Sequence, residues 1–194
     1  MRKIAAIVAS LLSFFLSFIY CYFIWRDQIE PVMTTWLLFC VSVSLSFWTY
    51  WASEKHSLIG NIGNLIDMVL VWSILFAIVF LGKADRFNFN SVEIGCLIAS
   101  GIILIYWRRS RKHIQANIAL QTIMVIAYAP LFYKLWFATQ NPELVMFWAL
   151  GCVTSCFALV PAFIDRDKLA VLYSMRALIM SLFVLLLIYR ISGG

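Results

Sequence analysis

Seven stretches of mostly apolar residues, separated by short polar connections, limit what this chain can fold into. They lie at about 4–25, 31–51, 58–81, 91–107, 114–137, 142–164 and 169–190. A helix of roughly 20 apolar residues crosses a lipid hydrocarbon layer about 30 Å thick. At 64% hydrophobic and 12% charged, the 194 residues carry more apolar surface than one soluble core could bury. The sequence therefore predicts an all-α integral membrane protein with seven transmembrane helices.

The first stretch begins with Arg2 and Lys3, as a signal peptide would. Its apolar run is long, however, and it ends in aromatic residues, among them Tyr22 and Trp25, without a small-residue cleavage site. We therefore expect a retained helix. Other Trp and Tyr residues near helix ends, including Trp36 and Trp148, are typical of an interfacial belt, which we favour over a gate.

A shift of 112 residues places the first three stretches on the last three. It puts Trp36 on Trp148 and Cys40 on Cys152. The fourth stretch is left as a linker, and one helix between two three-helix units makes those units parallel. We therefore predict a 3+1+3 architecture. Its parts are a first triple-helix bundle at 1–81, a linker helix with a basic loop at 82–113, and a second triple-helix bundle at 114–194.

Two prolines mark the fifth and sixth stretches. Pro130 lies inside the fifth, where it removes a backbone hydrogen bond and predicts a kink or hinge. Asn141-Pro142-Glu143 predicts the start of the sixth helix, with Asn141 as the cap and Glu143 near the positive end of the helix dipole.

The stretch Tyr128-Ala129-Pro130-Leu131-Phe132-Tyr133-Lys134-Leu135-Trp136, followed by a polar turn and Trp148, resembles the SWEET/PQ-loop transporter superfamily. Members of that family are built as 3+1+3 parallel triple-helix bundles and carry Pro-Gln near the middle of this helix. Leu131 stands in place of that glutamine, and Phe18-Ile19 stands in place of Pro-Gln in the first repeat. The resemblance implies a small secondary transporter or facilitator of a small polar solute (sugar, amino acid or organic anion) with alternating access.

Polar residues deep in apolar stretches mark the candidate site, because they are costly in a membrane without a partner. The third stretch holds Asn61, Asn64 and Asp67, and Asp67 lies about 15 Å past His56 by the helical rise, near the midplane. The seventh stretch holds Tyr173 and Arg176. The 112-residue shift places Asn64 on Arg176 and Asn61 on Tyr173, which predicts that these positions face one central axis.

In SWEET-like proteins an asparagine on the third helix and its mate on the seventh bind substrate. Asn64 matches the first position, while Arg176 departs from the second and would favour an anionic or zwitterionic solute. Proton coupling would follow if Asp67 titrates. One alternative is a structural Asp67–Arg176 ion pair without a ligand, and another lets Arg176 extend toward the membrane interface.

The fifth stretch offers a second polar stripe. Asn117, Gln121, Met124 and Tyr128 recur at helical spacing and share one face. Hydrogen bonding between helices explains the stripe more simply than a solute path does. The candidate substrate-binding residues are Asn61, Asn64, Asp67, Tyr173, Arg176, Asn117, Gln121 and Tyr128.

Other function classes have no motif in this chain. The five cysteines form no CxxC pair and are typical of small buried hydrophobic residues. No zincin, catalytic triad or phosphate-loop motif occurs, so we expect no enzymatic activity, metal, cofactor or nucleic-acid partner. The alternative to a transporter is a receptor or an assembly scaffold with the same bundle. A homo-oligomer is compatible with either.

Lysine and arginine in the connections predict the orientation. The side of the N-terminus carries Arg2, Lys3, Lys55, Arg108, Arg109, Arg111, Lys112, Arg166 and Lys168. The other side carries Arg26, Lys83, Arg86, Lys134 and Arg190. This imbalance predicts a cytoplasmic N-terminus and an external C-terminus in a multi-pass protein. The lack of cysteine pairs and of long loops suits a prokaryotic inner membrane, with a eukaryotic organelle as the alternative. We interpret Arg108, Arg109, Arg111 and Lys112 as a topology anchor, with an anionic-lipid site as the alternative.

Overall fold

The computed structural model describes residues 2–51, 61–82, 88–109 and 113–192. They form seven helices, namely α1 (Arg2–Trp25), α2 (Met33–Trp51), α3 (Ile62–Leu81), α4 (Ser91–Arg109), α5 (His113–Phe137), α6 (Val145–Ile164) and α7 (Lys168–Ser192). All seven contain a segment long and apolar enough to cross a membrane. The predicted all-α fold with seven such helices is confirmed, and it is consistent with a multi-pass membrane protein.

Short polar residues define several helix ends. At the start of α7, Asp167 Oδ1 accepts hydrogen bonds from the backbone N–H groups of Leu169 and Ala170, each at 3.1 Å. At the start of α4, Asn90 and Glu93 bond reciprocally to each other's backbone N–H, which is a capping box. Left-handed residues end α1 and α6, at Asp27 (φ 54°) and Arg166 (φ 53°).

The predicted start of the sixth helix is wrong by three residues. Helix α6 begins at Val145, and Asn141 Oδ1 instead accepts the Glu143 N–H at 3.0 Å in a turn that precedes it. Asn141 therefore stabilises this turn rather than capping the helix, and the turn directs the Glu143 side chain inward. Helix α2 likewise begins at Met33, two residues after Pro31.

The fifth helix continues through its proline. Pro130 lies inside α5, and Pro161 lies in the same way inside α6. The helical ranges extend on both sides of each ring, so neither proline ends its helix. The hinge role of Pro130 stays a prediction.

The helices pack around a shared core. Helix α1 contacts α3 and α6, α2 contacts α3 and α5, and α7 contacts α5, α6 and α3. Helix α4 lies at the periphery against α5 and α2. We name the two ends of the bundle after α1. At the Arg2 end an ion pair joins Arg2 to Asp165 at 2.7 Å, and at the Trp25 end another joins Lys134 to Glu30 at 3.1 Å.

Candidate functional site

An interior cavity of about 90 Å³ lies between α1, α2, α3, α5, α6 and α7. This volume is the space open to the centre of a water molecule, and since one water needs roughly 10–15 Å³ on that measure, several waters or a small solute would fit. Its polar lining consists of Ser13, Asp67, Tyr128, Thr154, Ser155, Tyr173, Ser174, Arg176 and Ser181. The remaining lining residues are aliphatic, aromatic or glycine.

Tyr173 lies between the two charged residues of the cavity. Its hydroxyl donates to Asp67 Oδ2 at 2.9 Å, and the centre of its ring lies 4.9 Å from Arg176 Cζ. The Arg176 side chain is buried, with only 9% of the residue exposed, and its Nε donates to Gln121 Oε1 at 2.8 Å. These four side chains connect α3, α7 and α5 at one level of the bundle.

Within the described ranges, Asp67 and Arg176 form no direct ion pair. Tyr173 donates to one carboxylate oxygen of Asp67, while the Arg176 guanidinium donates to Gln121. A direct structural pair between the two charges is therefore not formed. Arg176 does not extend toward the interface either, because its head group is buried against α5 and the Tyr173 ring.

The structure separates the eight predicted site residues into two groups. Asp67, Tyr128, Tyr173 and Arg176 line the cavity, and Gln121 contacts one of them. Asn61, Asn64 and Asn117 are buried but lie outside the lining.

Asn64 is held by the neighbouring helix. Its Nδ2 donates to Ser46 Oγ on α2 at 3.2 Å. The 112-residue shift predicts that Asn64 and Arg176 face one axis, but only Arg176 borders the cavity. The difference arises because Asn64 bonds to α2 instead. A substrate contact by Asn61, Asn64 or Asn117 stays a prediction.

Aromatic rings line the cavity toward the Trp25 end. Trp36 and Trp148 are each only 3% exposed, and both border the cavity. The Tyr20 ring centre lies 4.4 Å from that of Phe147 and 5.3 Å from that of Trp36. The interfacial-belt prediction is therefore wrong for Trp36 and Trp148. They lie near helix ends, but on the faces that point into the bundle.

Glu143 is a buried acid that the sequence analysis placed at a helix start. It is only 4% exposed, and its Oε2 accepts hydrogen bonds from the Tyr20 hydroxyl at 2.8 Å and from Trp148 Nε1 at 3.2 Å. Burial raises the pKa of Glu143 to about 7, although both hydrogen bonds and the charge of Lys134 lower it. No sequence pattern distinguishes this inward carboxylate from one exposed at a helix start.

Gly63 lines the cavity at a point of close helix approach. A Cβ added there would lie 3.2 Å from Ala158 Cβ and 3.5 Å from Ser174 Oγ, so α3 approaches α6 and α7 very closely. Since Gly63 lies at the start of α3, this approach is toward the Arg2 end. Glycine is required here for space rather than for an unusual backbone angle.

The remaining predicted features lie away from the cavity. Arg108 and Arg109 are exposed at the end of α4, whereas Arg111 and Lys112 lie outside the described residues, as do Lys55, Lys83 and Arg86. The anionic-lipid site stays a prediction. Cys40 and Cys96 are buried as expected, but Cys156 is exposed, so the interpretation of every cysteine as buried is wrong there.

In comparisons with protein-family models, curated proteins and solved structures, nothing matches this chain.

Proposed function

We propose that this chain is a small secondary transporter or facilitator that carries a small polar solute by alternating access. The main support is an interior cavity lined by the buried Arg176 guanidinium and the Asp67 carboxylate, which form no direct ion pair with each other. Asp67 comes from the first predicted three-helix bundle, and Tyr173 and Arg176 come from the second. A solute held among them contacts both bundles, as alternating access about a central site requires.

The helix packing supports the 3+1+3 organisation. Under the 112-residue shift, the pairs α1–α6, α1–α3 and α2–α3 correspond to α5–α2, α5–α7 and α6–α7. All six pairs pack together. Helix α4 is peripheral and contacts α5 and α2, which suits a linker. This arrangement also fits the SWEET-like organisation that the sequence resembles.

Contacts between the two proposed bundles lie toward both ends of the helical bundle. At the Trp25 end, Tyr20 bonds to Glu143 at 2.8 Å, and the Glu30 N–H donates to the Pro142 carbonyl at 3.0 Å. At the Arg2 end, Gly63 packs closely against α6 and α7, and the Tyr50 hydroxyl donates to Asp167 at 2.6 Å. Rocking one bundle against the other would break one set of contacts while it preserves the other.

The proposal includes the orientation that the basic residues predict. The N-terminus would lie in the cytoplasm and the C-terminus outside, in a prokaryotic inner membrane. Arg108 and Arg109, exposed at the end of α4, would then face the cytoplasmic leaflet. A receptor or scaffold is the alternative, and a scaffold without ligand would have no use for a polar cavity.

Solute uptake into proteoliposomes tests the proposal. The panel would hold labelled sugars, amino acids, organic acids and nucleosides, with Arg176→Gln beside the wild-type protein. Arg26→Gln is a matched control, because Arg26 is exposed at the end of α1. We expect uptake of one solute class by wild type and Arg26→Gln, and loss of uptake in Arg176→Gln. Folded wild-type protein that transports nothing, or equal uptake by Arg176→Gln, contradicts the proposal.

A further inference from the structure

The cavity presents a buried guanidinium with unused hydrogen-bond donors. Arg176 lines the cavity, is 9% exposed, and uses its Nε for Gln121. Its Nη1 and Nη2 donate to none of the residues that the structure describes. Such a group matches a carboxylate or a similar anion, because the guanidinium fork forms two parallel hydrogen bonds with it.

The same cavity presents a carboxylate with unused hydrogen-bond accepting capacity. Asp67 also lines it, and the hydroxyl of Tyr173 is its hydrogen-bond donor among the described residues. A carboxylate offers about four lone-pair positions, so one donor leaves most of its accepting capacity open. The group that this capacity matches is an ammonium.

A ligand with a single charge would satisfy only one of these groups. An anion at Arg176 would be repelled by Asp67, and a cation at Asp67 would be repelled by Arg176, because like charges in a water-poor site repel strongly. A neutral solute would leave each charge without an opposite charge, which is costly for ions withdrawn from water. A ligand with both signs avoids each of these costs.

We propose that the cavity binds a small zwitterion, with its anionic group at Arg176 and its cationic amine at Asp67. Tyr173 fixes the Asp67 carboxylate and stacks beneath the guanidinium, so it holds the two charges apart for the ligand. Val43, Leu70 and Val71 line the rest, which suits a short aliphatic remainder. This inference rests on the proposed central solute site and names its substrate class.

Binding to purified protein tests the inference without transport. The ligands form a matched set at pH 7, with alanine and β-alanine as zwitterions, propionate without the amine, propylamine without the carboxylate, and neutral propionamide. Isothermal titration calorimetry on the wild-type protein should give at least tenfold tighter binding of a zwitterion than of the other three. This comparison does not depend on whether any variant folds.

Variants then assign the two ends of the ligand. Asp67→Asn removes the repulsion of anions, so it should bind propionate at least as tightly as alanine, whereas Arg176→Gln should lose both. Unchanged alanine affinity in Asp67→Asn overturns the inference, and so does wild-type binding of propionate or propionamide as tight as that of the zwitterions.

The inference and the transport proposal fail in different ways. Uptake of a neutral sugar by protein that binds no zwitterion would overturn the inference and leave transport standing. Zwitterion binding without uptake into proteoliposomes would uphold the inference and refute transport.

Discussion

Glu143→Gln should remove a loss of stability that the wild-type protein undergoes as pH rises. Burial raises the pKa of Glu143 from 4.5 to about 7. Between these values the folded chain holds a proton that the unfolded chain has released, so the free energy of unfolding falls with rising pH. The fall begins near pH 4.5 and ends above pH 7, where both states are ionised. Glutamine does not titrate, and its amide oxygen still accepts from Tyr20 and Trp148.

The size of the effect follows from the pKa change. One pKa unit corresponds to about 1.36 kcal/mol, so a rise from 4.5 to about 7 amounts to about 3 kcal/mol over the full window. Most of that change falls between pH 5 and pH 8. It is a large effect, because one or two kcal/mol is already a substantial part of the stability of a folded chain.

Unfolding in mixed micelles, titrated with sodium dodecyl sulfate at pH 5 and pH 8, measures the difference. We expect the unfolding free energy of Glu143→Gln, measured relative to that of wild type, to rise by about 2 to 3 kcal/mol from pH 5 to pH 8. Glu30→Gln is a control, since the Glu30 side chain is 71% exposed at the same end of the bundle. A gap that is the same at both pH values would refute the reasoning that burial keeps Glu143 protonated.

Gly63→Val should lower the unfolding free energy by about 1–3 kcal/mol through overpacking, because even a Cβ there lies 3.2 Å from the nearest atom of α6. Gly101→Ala should not lower it in the same unfolding assay, since an added Cβ meets nothing within 4 Å. Asn64→Ala should lower the unfolding free energy by about 1 kcal/mol in the same unfolding assay, because the bond from Asn64 to Ser46 is lost. Tyr173→Phe should weaken zwitterion binding several-fold, measured by calorimetry, because Asp67 loses its donor.

The helices were predictable from sequence because their signal is the length of an apolar run. The errors concern helix starts that follow a proline. Pro31 and Pro142 suit a first helical position, yet α2 and α6 begin two and three residues later. The sequence does not reveal that Glu143 bonds to Tyr20, on a helix more than a hundred residues away, and this contact shapes the turn.

The site was predictable where a charged residue interrupts an apolar run. Asp67 and Arg176 are conspicuous by that rule, and both line the cavity. A single sequence does not show which way a side chain points in the bundle. Trp36 sits near a helix end, as a lipid-facing anchor would, but points inward, and Asn64 matches a substrate position in its spacing but faces Ser46. Which face of each helix turns inward depends on the pairing of helices, and the spacing of residues along one helix does not determine it.

Transport, if it proceeds as proposed, makes the opening of the Trp25 end depend on pH. While Tyr20 and Trp148 enclose it, Glu143 keeps its proton up to about pH 7, and opening that end exposes its carboxyl to water, where ionisation is favourable. Among the residues that the structure describes, the other charged or titratable groups that face it are the Tyr20 hydroxyl and Lys134. Rising pH should therefore shift the population toward the state open at the Trp25 end, since a ligand or proton can shift an equilibrium only by its preference for one state.

Labelling a cysteine introduced at Phe147, in a background without the native cysteines, should be faster at pH 8 than at pH 6 after correction for thiol ionisation measured on a fully exposed site. That excess should disappear in Glu143→Gln, and an excess that persists in the variant would show that another group controls the opening.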